Sequence, residues 1–133
     1  MKAVFADTSY YIALVNPADA YHAKAVRASR KLRCRTIITE YVLLELGSAL
    51  SQRRDRPLFT GLVARLRADA DTLIVPASAA LLNDGLALFA RRTDKNWSLI
   101  DCLSFVVMAA EGVRHALTVD HHFEQAGFRV LLK

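Results

Sequence analysis

Asp7, Glu45, Asp101 and Asp120 are the residues of this 133-residue chain whose types and positions could together do chemistry. Each falls where a parallel α/β arrangement would carry it to one shared edge of a sheet. Asp7 follows Lys2-Ala-Val-Phe-Ala6 and Asp120 follows His115-Ala-Leu-Thr-Val119, two short apolar runs that read as strands. Ligands of open parallel sheets bind outside the carboxyl ends of the strands, where loops and helix N-termini turn side chains toward a common point. Carboxylates gathered there raise one another's proton affinity unless a divalent cation supplies the compensating charge. Mg²⁺ or Mn²⁺ suits an all-oxygen set. Such an ion keeps several waters and makes them more acidic.

Each acid also has a plainer reading. Ser98, followed three residues later by Asp101, resembles a capping box that opens a helix. Leu99, Leu103, Val106, Val107 and Ala110 continue that helix on one face until Gly112 stops it. The N-terminus of a helix stabilises any first-turn carboxylate, and Asp7 and Asp120 could be N-caps of the segments after them. Glu45 lies in an otherwise apolar helix face, where an unpaired buried carboxylate is costly. Glu40, in the first turn of the same helix, needs no special explanation, so Glu45 is the one assigned to the acidic set. His121 and His122 directly follow Asp120, which suggests a transition-metal site or a proton relay. No paired Cys and no His-x-x-x-His spacing supports zinc, and the two read as ordinary polar residues ahead of Phe123. Trp97, Tyr10 and Tyr11 could stack on unpaired bases, but packing in the core or against a partner is the simpler role.

The elements that must position these residues alternate along the chain. A strand over 2–6 turns through Asp7-Thr-Ser9 into the apolar stretch Tyr10 to Val15, which Asn16-Pro17 breaks. Asp19 can cap a helix to about Lys31, and Arg35 to Thr39 reads as a second strand. Val42, Leu43, Leu46, Gly47 and Leu50 recur at helical spacing across Glu40 to Gln52, and a further helix spans about Pro57 to Ala68. Leu73 to Val75 is a strand closed by Pro76. A helix over Ala79 to Arg91 carries Leu82, Leu86 and Phe89 on one stripe, and the polar loop Thr93 to Asn96 follows. The strand over 115–119 comes after the Ser98 helix.

Hydrophobic residues at 53% and charged residues at 23% match an ordinary globular domain, and 133 residues suffice for one domain but not two. The expectation is therefore a single domain over 1–133, without a linker or a repeat. No apolar run approaches the roughly 20 residues that span a bilayer, and the N-terminus lacks the order of a signal peptide, so the expected location is the cytoplasm, with no membrane partner. Cys34 and Cys102 lack ligand spacing and read as small buried residues. The net charge of +5 comes from 13 Arg and 5 Lys against 13 acids. Arginine's fork suits phosphate oxygens. The basic residues cluster at Arg27 to Arg35, Arg53 to Arg56 and Arg91 to Lys95. Any one cluster is explained by helix dipoles and a solvated face, and only their sum favours a nucleic acid.

With these residues in place, the chain resembles the PIN-domain nucleases and, among them, the VapC-type toxins of toxin–antitoxin pairs. The resemblance rests on Asp-Thr-Ser after the first strand (Asp7 to Ser9), on Glu45 in the helix after strand two, and on Ser-x-x-Asp opening a later helix (Ser98 to Asp101). It also rests on Thr-x-Asp-x-x-Phe (Thr118 to Phe123) and on Gly127-Phe128 before a terminal strand over 129–132. It implies an α/β PIN-like domain with a central, mainly parallel sheet of about four to five strands flanked by helices. It also implies a Mg²⁺- or Mn²⁺-dependent endoribonuclease that releases a 3′-hydroxyl. Asp7 and Asp101 would be the most direct metal ligands, with Glu45 and Asp120 holding a second ion or orienting water, and Ser9, Ser98 and Thr118 in support. The implied partners are RNA, a cognate antitoxin whose tail occupies the acidic cleft, and a second copy in a homodimer. The alternatives are a PIN module that binds nucleic acid without turnover, or an aspartyl phosphatase. For the latter, Asp7-Thr-Ser9 lacks the second Asp two residues on.

Overall fold

The computed structural model describes all 133 residues. Five strands form one sheet in the order β3-β2-β1-β4-β5, with every pairing parallel. They are β1 (Ala3–Ala6), β2 (Arg35–Thr39), β3 (Thr72–Val75), β4 (His115–Leu117) and β5 (Arg129–Val130). Seven helices flank the sheet: α1 (Thr8–Val15), α2 (His22–Lys31), α3 (Glu40–Ala49), α4 (Arg56–Ala68), α5 (Ala79–Arg91), α6 (Leu99–Glu111) and α7 (His121–Gln125). The expected α/β architecture is the one observed.

Register explains the core. Phe5 of the central strand pairs with Ile37 on one side and with Ala116 on the other. Val4, Phe5, Ala6, Ile38 and Ala116 are completely buried. Strands covered on both faces read as continuous apolar runs, which is why Ala-Val-Phe-Ala stood out in the sequence without any alternation. The chain moves from β1 outward through β2 to β3, then returns to β4 on the opposite side of β1. The strand order therefore reverses at the β1–β4 boundary, and the crevice at the carboxyl ends of those two strands is where such folds bind ligands.

Several boundaries depart from expectation for local reasons. Helix α2 starts at His22 because the Asp19 carboxylate accepts from Tyr21 N at 2.8 Å and its carbonyl accepts from His22 N, which makes a turn rather than a cap. Helix α3 ends at Ala49, short of Gln52, and Arg56 Nε fastens the following turn to Ser51 O at 2.7 Å. The Leu82, Leu86 and Phe89 stripe of α5 faces solvent. The side that packs inward carries Leu81, Gly85 and Leu88, with Gly85 against Leu103 of α6. Helix α6 is buried on more than one face, since Cys102, Leu103, Phe105, Val107 and Met108 are all covered. Cys102 is buried as expected, whereas Cys34 is only half-buried, and both are free thiols.

Candidate metal centre

Asp7 is the first residue beyond β1. It occupies the N-cap position of α1, yet its carboxylate makes no capping bond. Asp7 Oδ2 instead accepts from Thr118 Oγ1 at 2.9 Å and from Ser9 Oγ at 3.3 Å. The two hydroxyls lie 3.1 Å apart, and Ser9 Oγ also accepts from Val119 N. Thr118 Oγ1 accepts from Asp120 N at 3.1 Å. This small network joins the ends of β1 and β4 and fixes the Asp7 rotamer. Asp7 is only 5% exposed. Burial lifts its carboxyl to about 6, against lowering by the Thr118 hydroxyl and a Thr8 backbone contact, and with smaller raising effects from Asp101 and Glu45.

Asp101 is held by the capping box that the sequence suggested. Ser98 Oγ accepts from Asp101 N at 3.0 Å, and Asp101 Oδ2 accepts from Ser98 N at 3.2 Å. Trp97 anchors this loop by packing rather than by offering a stacking surface. Its ring meets Phe105 edge-on at 4.9 Å and its Nε1 donates to Gln125 at 3.0 Å. Tyr10 and Tyr11 are likewise buried. Glu45 is half-buried and accepts from Thr8 Oγ1 at 2.5 Å, so the middle residue of Asp7-Thr-Ser9 orients it. Glu40 is used elsewhere, accepting from Ala77 N at 2.6 Å to hold the loop after β3. Asp120 does cap, accepting from His122 N at 2.9 Å, so its local role is real and coexists with its place in the site.

One open pocket is lined by all four acids, Asp7, Glu45, Asp101 and Asp120, together with Ser9 and Ser98. Three further polar residues that sequence reasoning gave no role line it, Thr8, Asn96 and His122, along with Ile12 and Val119. His122 reverses the reading of an ordinary polar residue. Its Nδ1 lies 3.0 Å from Asp101 Oδ2 and 3.4 Å from Asp120 Oδ1. Only the turn into α7 aims it there, and α7 gave no periodic signal in five residues. No lysine or arginine lines the pocket. Four carboxylates without a fixed cation, one of them buried with raised proton affinity, fit a hard divalent ion such as Mg²⁺ or Mn²⁺.

Comparison with known proteins agrees with this geometry. The 23S rRNA-specific endonuclease VapC20 of Mycobacterium tuberculosis is 28% identical over 125 residues, covering 94% of this chain and 95% of the relative. The crystal structure of VapC20, described as a sarcin-ricin loop cleaving toxin, resembles this one with a TM-score of 0.85, at 27% identity and over 94% of this chain and 95% of that one. The fold is also shared with VapBC2 from Rickettsia felis, solved bound to promoter DNA, at a TM-score of 0.66, 16% identity and 96% coverage of both chains. The model of the PIN domain matches residues 4–129, which take in all four acids and nearly the whole sheet, and the chain belongs to that family.

Proposed function

We propose that this protein is a Mg²⁺- or Mn²⁺-dependent endoribonuclease that hydrolyses phosphodiester bonds in single-stranded or looped RNA, and that it is the toxin of a type II toxin–antitoxin pair. The observation that carries the reading is the convergence of Asp7, Glu45, Asp101 and Asp120 on one pocket without a lysine or arginine. Kinship with VapC20 supports it. Asp7 and Asp101 would be the direct ligands, and Glu45 and Asp120 would complete the set. When bound, the ion supplies acidified water and offsets charge on the phosphate. The chain's own residues do the positioning. Thr118 and Ser9 hold Asp7, the Ser98 box holds Asp101, Thr8 holds Glu45, and the start of α7 holds Asp120. Hydroxyls of this kind fix ligand rotamers and so set metal affinity.

Exposed Arg27, Arg30, Arg33, Arg53, Arg54 and Arg91 support an RNA partner. Single-stranded loops suit an open site that unpaired nucleotides can enter. VapC20 acts on 23S rRNA, which makes a ribosomal RNA loop the first substrate to try. A groove of mixed lining, with Leu14 of α1 and Leu58 of α4 beside Arg65 and Asp69, supports an antitoxin segment as the partner. The exposed Leu82, Leu86 and Phe89 support a homodimer. No helix is long and apolar enough to cross a membrane, and the proposed location is the cytoplasm. The test is incubation of purified chain with total cellular RNA in Mn²⁺, with cut positions read by end mapping and EDTA as control. Discrete cuts abolished by EDTA are expected. RNA binding without any cut would favour a non-catalytic binding module.

A further inference from the structure

Three consecutive residues after β4 bring their donor atoms to one point. Asp120 Oδ1 lies 3.7 Å from His121 Nδ1 and 3.4 Å from His122 Nδ1. The ligand atoms of all three lie within 4.8 Å of one another. Asp101 Oδ2, 3.0 Å from His122 Nδ1, is the further carboxylate beside this group. A tetrahedral ion with bonds of about 2.0–2.1 Å spaces its donors about 3.4 Å apart. The three observed separations bracket that spacing. Donor chemistry points the same way, because imidazole nitrogen suits zinc, copper and nickel, whereas Asp7 and Glu45 offer oxygen alone. His122 is half-buried and held by neighbours on two elements, while His121 is exposed, its ring beside that of His122 with centroids 4.5 Å apart.

We propose that Asp120, His121 and His122, with Asp101 as fourth donor, form a site for a divalent ion of the zinc class, and that filling it withdraws Asp101 and Asp120 from the Mg²⁺ site and stops turnover. The binding half stands on the donor geometry alone. The inhibitory half rests on the nuclease reading above. Zinc binds a mixed nitrogen and oxygen site more tightly than Mn²⁺ does, so a small amount of zinc would displace a larger amount of the activating ion.

The test titrates untagged, metal-free protein with Co²⁺ and records visible absorption, which is intense for tetrahedral and weak for six-coordinate ions. One intense band that Zn²⁺ bleaches is expected. His121→Ala, at an exposed position that leaves folding intact, should weaken Co²⁺ binding at least about tenfold, and His121→Ala with His122→Ala should remove the band. Glu45→Gln should keep it. Unchanged affinity in His121→Ala, or only weak six-coordinate absorption in the wild type, overturns the site. In a parallel Mg²⁺-dependent RNA cleavage assay, Zn²⁺ should stop the wild type at the concentrations that bleach the band, and His121→Ala should need about tenfold more. Equal zinc sensitivity in both overturns the inhibitory role. A chain that shows the Co²⁺ band but cleaves no RNA overturns the nuclease reading and the inhibition with it, and leaves the metal site standing.

Discussion

Asp7 is the most enclosed of the four acids, and its environment has a thermodynamic signature. Its carboxyl is lifted to about 6 by burial, above the value of about 3.9 in an unfolded chain. Between those values the folded chain keeps a proton that the unfolded chain has lost. The stabilising contribution is therefore full below about pH 4 and is lost as pH rises through about 6, a change of roughly 3 kcal/mol. Metal-free protein should melt at a lower temperature at about pH 7 than at about pH 5, and Asp7→Asn should flatten that segment of the profile. Thermal denaturation followed by circular dichroism decides this, and an equal slope in both proteins would remove Asp7 as the cause. Mg²⁺ should raise Tm more at the higher pH, where the carboxylate is charged. The acids could be read from the sequence because each follows a strand or sits on a recognisable helix. Thr8 and His122 could not, since only the fold aims their side chains at Glu45 and Asp101.

At the scale of elements, the contact between α5 and α6 shows where apolar periodicity misleads. Leu82, Leu86 and Phe89 form the more conspicuous stripe, but α5 packs inward through Gly85, whose missing side chain carries no hydrophobic signal. A Cβ there would stand 2.5 Å from Leu103 Cδ2 and 2.8 Å from its Cγ. Leu103 is only 1% exposed and has no room to retreat. Gly85→Ala gains about 1 kcal/mol in helix propensity but overpacks the contact by about 1–3 kcal/mol, so a net loss of about 1 kcal/mol is expected. A lower urea midpoint at unchanged slope would show it. An unchanged or higher midpoint would mean that α5 shifts to accommodate the methyl. By contrast, the Ser98 box and the Gly112 stop were both legible, because caps are written in side chains adjacent in sequence.

Over the whole molecule, alternation of strands and helices was enough to predict a parallel sheet, but not the order of its strands. That order places the reversal beside β1, and it turns two distant aspartates into neighbours across a crevice. The proposed pairing of two copies also belongs to this scale. If the solvent-facing stripe of α5 is the contact, Phe89→Glu should convert a dimer into a monomer, seen by light scattering after size-exclusion chromatography. A mass unchanged by the substitution would move the contact elsewhere.

The central claim is that the acidic pocket is one metal-dependent hydrolytic site. It is tested most directly by titrating Mn²⁺ into protein with a ribosomal RNA stem-loop, reading bound metal by electron paramagnetic resonance and cleavage in the same samples. Asp101→Asn keeps an acceptor for the capping bond but removes the charge, so it should fold normally and lose at least about a hundredfold in cleavage. Cleavage that tracks Mn²⁺ occupancy in the wild type, with both lost in Asp101→Asn, is the predicted result. Cleavage that persists in EDTA, or at full rate in Asp101→Asn, would contradict the account.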